Sequence, residues 1–305
     1  MTAERRLMGT VPRPRGSTLG YRMLGLMLRV LGHCFVSAFA RIIVFYYFLF
    51  SPRTIGSSMR FYAALDPGLT RVGRLACAWR EFQSFSTVFV DRLLAASGLE
   101  ARFRFVHDGL EHITGAAAER RPLVLWMSHL GNWEVACHAL KGYRVPLTLV
   151  LGKRPGERVE AVQKADLARR GIKAVYVSDD KDLGVLEVAK ALKAGEVVAV
   201  SGDRLFDESQ RAVTVTFLGR ACRVPAGPYV LSLLGEADIV PIFGMREGRL
   251  SYRFIALKPR RVRASDRAGR EAAMREAAQT CFADLEAMVK RYPEQWYNFF
   301  DYFEP

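Results

Sequence analysis

Apolar residues along this chain change their spacing from one stretch to the next, and each spacing predicts a different kind of element. Residues 20–50 (YRMLGLMLRVLGHCFVSAFARIIVFYYFLF) are apolar almost without interruption. Residues 54–100 are different: Phe82, Phe85, Val88, Phe89 and Leu93 recur at intervals that line one side of a helix. From about residue 101, short apolar runs alternate with amphipathic stretches. The runs predict strands over Arg102–Val106, Leu123–Met127, Leu147–Leu151, Ala174–Val177, Val197–Ser201, Thr214–Phe217, Ile239–Phe243 and Tyr252–Ala256. Helices are expected over 157–170, 183–194, 226–235 and 266–291, followed by an aromatic tail from Tyr292 to Phe303. Lys190 and Lys193 mark a last helical turn, and Gly195 stands where a C-cap belongs. Strands alternating with helices predict an α/β fold with a mostly parallel central sheet and flanking helices. There is no repeat and no low-complexity tract.

The N-terminal stretch divides further. Residues 1–19 are basic and contain Pro and Gly, which predicts a flexible lead. Residues 20–53 are expected to form a hydrophobic, membrane-anchoring helical segment, and residues 54–305 the domain that would be catalytic. Between Val30 and Phe50 only His33 and Arg41 break the apolar run, a length near the ~20 residues that cross a bilayer. An arginine at mid-membrane costs about 2.5–3.5 kcal/mol on insertion scales, and arginines flank both ends, so a tilted or interfacial helix pair fits better. Ser37–Ala40 has the small-residue form of a signal cleavage site, yet the most apolar run, Ile42–Phe50, follows it, which argues against secretion.

Charge and cysteines narrow the partners. A formal net charge of +14 calls for an acidic partner: nucleic acid, anionic lipid or an acidic carrier protein. Without a basic-aromatic RNA motif, zinc-finger spacing or helix-turn-helix signal, nucleic acid is the weakest of these. The 5 cysteines are scattered and lack a CxxC pair, which predicts a reducing compartment and neither a disulfide framework nor a metal site.

The candidate chemistry sits at strand ends. Leu123-Val-Leu-Trp-Met-Ser-His129-Leu-Gly-Asn-Trp-Glu134 places a histidine just past a buried strand, then a glycine turn, then a carboxylate in the first turn of a helix. A carboxylate there is favoured by the helix dipole, and beside an imidazole it raises the basicity that deprotonating a hydroxyl requires. Val197-Val-Ala-Val-Ser-Gly-Asp203-Arg204 repeats the plan, and in a parallel sheet His129 and Asp203 emerge at the same edge. Asp203 and Arg204 either pair with each other or serve the substrate, Arg204 binding a phosphate or carbonyl oxygen and Asp203 orienting Arg204 or the acceptor. Ser128 adjoins His129, and neighbours rarely present both side chains to one carbon, so an acyl-serine is disfavoured. Downstream lie the loop Phe217-Leu-Gly219 with Arg220 and Arg223, and a basic stretch holding Arg154, Arg158, Lys164, Arg169 and Arg170.

The His-Leu-Gly-Asn-Trp-Glu segment resembles the His-x4-Asp/Glu signature of glycerolipid acyltransferases, and in this form the bacterial lipid A late acyltransferases. The Gly-Asp-Arg string, the Phe-Leu-Gly turn and the aromatic tail are similar to that family's motifs as well. The resemblance spans about residues 20–303 and implies transfer of a fatty acyl group from an acyl thioester to a hydroxyl of a glycolipid such as a lipid A precursor. His129 would be the general base and Glu134 its partner, with Asn132, Asp203, Arg204, Arg154 and Arg170 on the substrate. It further implies acyl carrier protein as donor, no metal or cofactor, and a place on the cytoplasmic face of the bacterial inner membrane. Ser-Gly-Asp-Arg departs from the aromatic-rich surroundings of the best-known lipid A enzymes, which leaves other membrane lipids and lipid-linked pigments open as acceptors. A lipid ester or thioester hydrolase using the same pair, or a membrane-binding protein without catalysis, are the competing classes.

Overall fold

The computed structural model describes residues 18–140, 143, 145–152, 167, 172–177, 183–205, 210–264 and 266–303. It divides into a helical unit (residues 1–102, 218–222 and 287–305) and a sheet unit (103–217 and 223–286).

The helical unit holds α1 (Thr18–Val30), α2 (Gly32–Leu49), α3 (Pro52–Leu65) and α4 (Arg71–Leu94). What reads in sequence as one helical stretch over 54–100 breaks between α3 and α4, where Pro67 cannot continue a helix and the Thr70 hydroxyl caps α4 by accepting from Gly73 N–H at 3.1 Å. Helix α4 is the centre of the unit, with Phe82, Val88, Val90 and Leu94 buried. The aromatic tail packs on it and on α3: Trp296 lies 4.8 Å from Phe61, Phe299 4.8 Å from Phe82, and the Tyr297 and Ser84 hydroxyls are 2.9 Å apart. Helix α2 is the one described helix long and apolar enough to cross a membrane.

In the sheet unit the strands are β1 (Arg104–Asp108), β2 (Leu123–Met127), β3 (Leu147–Gly152), β4 (Lys173–Val177), β5 (Val197–Ser201), β8 (Asp238–Gly248) and β9 (Ser251–Ala256), ordered β1-β9-β8-β2-β5-β3-β4. Neighbours from β8 to β4 run parallel, while β9 is antiparallel to β8 and parallel to β1. A short β10 (Arg260–Arg261) adds to β8. The sheet is therefore mixed but mostly parallel, with helices α5 (Glu111–Ala118), α6 (Trp133–Ala139), α7 (Leu183–Lys193), α8 (Gly227–Gly235) and α9 (Arg270–Arg291) accompanying it. Helix α7 ends as expected, with Gly195 at φ +77°. Strand β2 is central and buried throughout, which is why it reads as an unbroken apolar run. One face packs Leu123, Leu125 and Met127 with Val197, Ala199, Val240 and Ile242 against Ala136 and Cys137 of α6. Trp126 contacts Phe282 of α9.

One expectation is corrected here. Thr214–Phe217 belongs to β6 (Ala212–Phe217), which pairs with β7 (Arg220–Pro225) in a separate two-stranded sheet. Its alternating burial marks a strand with one covered face, unlike the central strands. The Phe-Leu-Gly segment is the hairpin turn, Leu218 and Gly219 both taking positive φ, as a primed two-residue turn demands. The helix expected over 157–170 lies outside the described residues except for Leu167.

Candidate active site

Strands β2 and β5 pair in parallel with Leu123 opposite Val197 and Met127 opposite Ser201. The pairing continues one step past the strands, Gly202 N–H donating to Met127 C=O at 2.9 Å. His129 and Asp203 are each six residues beyond the first pair (129 − 123 = 203 − 197), so the register brings them level at the C-terminal edge of the sheet.

Hydrogen bonds from His129 and from Ser201 converge on the Asp203 carboxylate. The His129 backbone N–H donates to Asp203 Oδ2 at 2.8 Å, His129 Nδ1 lies 2.8 Å from Asp203 Oδ1, and the Ser201 hydroxyl donates to Oδ1 at 3.0 Å. Asp203 is fully buried, while the His129 side chain keeps about a fifth of its surface exposed. Burial alone pushes the Asp203 carboxyl up. The His129 charge, the His129 hydrogen bonds and the Arg204 guanidinium outweigh it and hold the group below the usual carboxylate range. An ionised carboxylate only accepts, so Nδ1 carries the proton and Nε2 is the basic nitrogen.

Two glycines make this geometry reachable. A Cβ on Gly202 would stand 1.9 Å from Nε1 of Trp126, whose indole is pinned in the core by donating to the Tyr229 hydroxyl at 3.0 Å. Gly131, at φ +75°, turns the His129 loop toward β8, where a Cβ would meet Gly244 C=O at 2.3 Å and where Asn132 N–H donates to the same carbonyl at 2.8 Å.

The other expected site residues fall as follows. Asn132 caps α6: its Oδ1 accepts from Val135 N–H at 3.2 Å and its Nδ2 donates to the Tyr252 hydroxyl at 3.3 Å, so its amide is held by the fold. Glu134 occupies the first turn of α6. Arg204 lies beside Asp203 and lowers its pKa. Ser128 is buried and its oxygen accepts from Leu130 N–H at 3.3 Å. Arg154 and Arg170, with Arg158, Lys164 and Arg169, lie outside the described residues. The sequence reading places Asp203 at this edge on the substrate side, and the structure also bonds it to the His129 imidazole. The equal offset of the two residues from the starts of their strands is readable in the chain, whereas the pairing of β2 with β5 in that register is not. Among the described residues, no group of three or more His, Cys, Asp or Glu side chains is placed to hold a metal.

A family model described as bacterial lipid A biosynthesis acyltransferase matches residues 73–304, most of the chain. The chain belongs to this family. A search of curated proteins finds no match. The lipid A acyltransferase match takes in both the His129 and Asp203 loops, α4 and the aromatic tail, and begins after α2.

Proposed function

We propose that this family member transfers a fatty acyl chain from acyl carrier protein to a hydroxyl of a glycolipid such as a lipid A precursor, with His129 as general base. The observation that carries the reading is the imidazole whose Nδ1 is tied to a buried, ionised Asp203 at the edge of the sheet. The acceptor hydroxyl gives its proton to Nε2 as its oxygen attacks the thioester carbonyl. The C–S bond then breaks, and the leaving thiolate takes the proton from the imidazolium. No enzyme nucleophile takes part. Asp203 fixes the tautomer and stabilises the imidazolium, and Glu134 adds a second carboxylate in the first turn of α6. General-base assistance of this kind is worth ~10²–10⁴-fold. Arg204, Arg154 and Arg170 suit the phosphates and carbonyl oxygens of the substrates. The net charge of +14 suits an acidic carrier and the anionic cytoplasmic face of the inner membrane, where the acceptor resides.

The test uses purified protein in mixed micelles with radiolabelled acyl carrier protein, a panel of lipid acceptors including lipid A precursors, and H129A as control. Label entering one lipid, and lost in the variant, supports the transferase and names its acceptor. Label released only as free fatty acid identifies a hydrolase instead, and turnover unchanged in H129A removes His129 from the chemistry.

A further inference from the structure

Helix α2 meets the rest of the helical unit along a single stripe that runs its whole length. Past Gly32 its buried or half-buried positions are His33, Val36, Ser37, Ala40, Val44 and Phe48, most of them three or four apart. The partner is α4, running antiparallel. At one end His33 Nε2 lies 2.7 Å from the fully buried Asp91. At the other, Phe48 packs edge-on against Trp79 and Phe82 at 5.2 and 5.1 Å. Most of the remainder of α2 is exposed and apolar: Phe35, Phe39, Ile42, Ile43, Tyr46 and Leu49, with Phe45 also touching Trp79 edge-on. Beyond its C-terminal end the same character continues, with Phe50 at 81% and Val72 of α4 at 77% exposure. Arg41, Arg53 and Arg71 are exposed among or beside these residues.

We propose that α2 lies in the plane of an anionic phospholipid bilayer, its exposed face sunk in one leaflet and α4 covering it from the water side. The proposal rests on the membrane association put forward above and adds how it is made. An upright α2 would carry its full-length partner into the hydrocarbon. That partner bears Arg80, directly after Trp79, in a solvent-exposed ion pair with Glu294, and α3 packed on it bears another, Arg60 with Asp301. Charged pairs of this kind are not tolerated facing lipid. An upright α2, 18 residues and about 27 Å long, would also put Arg41 near the bilayer centre. Lying flat, Arg41 reaches the headgroups by snorkelling, and the apolar face with its arginine rim has the form of an interfacial helix.

Cys34 supplies a natural reporter, since it is exposed on α2 and the other cysteines are buried. A nitroxide placed at Cys34, and in a C34S background at F39C, I42C, Y46C and F50C, reads depth by spin-label relaxation in the full chain on liposomes. The expected result is a depth that oscillates with helical period and stays within the outer ~10 Å of one leaflet. Binding is also expected to be at least about tenfold tighter to vesicles with one-third anionic lipid than to neutral ones. A profile that deepens toward Ile42 and becomes shallow again at Phe50 on the opposite leaflet overturns the in-plane placement while leaving membrane association standing. Failure to bind either vesicle, with a dimer in sedimentation, overturns both and assigns the face to a second copy of the chain. Neither result touches the H129A assay, which tests the acyl-transfer reading separately.

Discussion

Replacing Asp203 by asparagine keeps the shape of the site and changes which nitrogen of His129 is basic. The carboxylate now accepts the His129 backbone N–H on Oδ2 and both Nδ1–H and the Ser201 hydroxyl on Oδ1. An amide has one accepting oxygen. The backbone N–H cannot change its role, so it keeps that oxygen, and the amide NH₂ turns toward Nδ1. Nδ1 must then accept, the proton moves to Nε2, and the lone pair that would deprotonate the acceptor is gone. Loss of general-base assistance is worth ~10²–10⁴-fold, or about 2.7–5.5 kcal/mol in the barrier, and a misplaced tautomer alone reaches ~10⁴. We expect kcat to fall by ~10³–10⁴ in D203N with KM for the acyl donor changed by less than about threefold, measured as label transfer in mixed micelles. D203A, which leaves the imidazole unfixed but able to adopt the productive tautomer, should retain more activity than D203N. A D203N enzyme that melts like the wild type and keeps more than a tenth of its kcat would refute the assignment of Asp203 to the imidazole.

Other perturbations have equally definite outcomes. G202A drives a methyl into the pinned Trp126 indole, and with both loops displaced it should cost about 3 kcal/mol or more in urea unfolding and abolish transfer. E81Q tests a buried carboxyl in α4. Burial pushes Glu81 well above the usual range, so the native state holds a proton that the unfolded chain releases above pH ~4.3. Native stability is therefore full below that value and falls by about 1.4 kcal/mol per pH unit as pH rises toward the native pKa. E81Q should remove that slope and gain on the wild type between pH 5 and pH 7, and parallel curves would disprove it. D91N, which sets an amide in place of the buried carboxylate against His33, should destabilise the helical unit by about 1–3 kcal/mol while leaving the unfolding of the sheet unit in place, as resolved by hydrogen exchange of each.

Much of this was legible in the chain because the central strands are buried on both faces. Leu123–Met127 and Val197–Ser201 are apolar end to end, and the structure returns both with those bounds. Edge and hairpin strands were less legible. Arg220–Pro225 carries two exposed arginines and reads as loop, and β8 extends well past the apolar Ile239–Phe243 because Met245–Gly248 is held by pairing with β9. His129 was found from its place after a strand. Glu134 reads as a partner because local spacing is what a motif displays. The bond to Asp203 spans 74 residues and follows from strand register, which one sequence leaves unstated.

The stripe joining α2 to α4 bears on how this protein can be handled. Cutting away the first fifty residues is the usual way to make a membrane-bound enzyme soluble. Here the cut would strip the cover from Trp79 and Phe82 and take away the histidine beside the buried Asp91 carboxylate. A shortened chain would expose a greasy groove where the full one exposes a greasy helix. The better route to a soluble form keeps α2 and replaces its outward residues, such as Phe39, Ile42 and Tyr46, with polar ones.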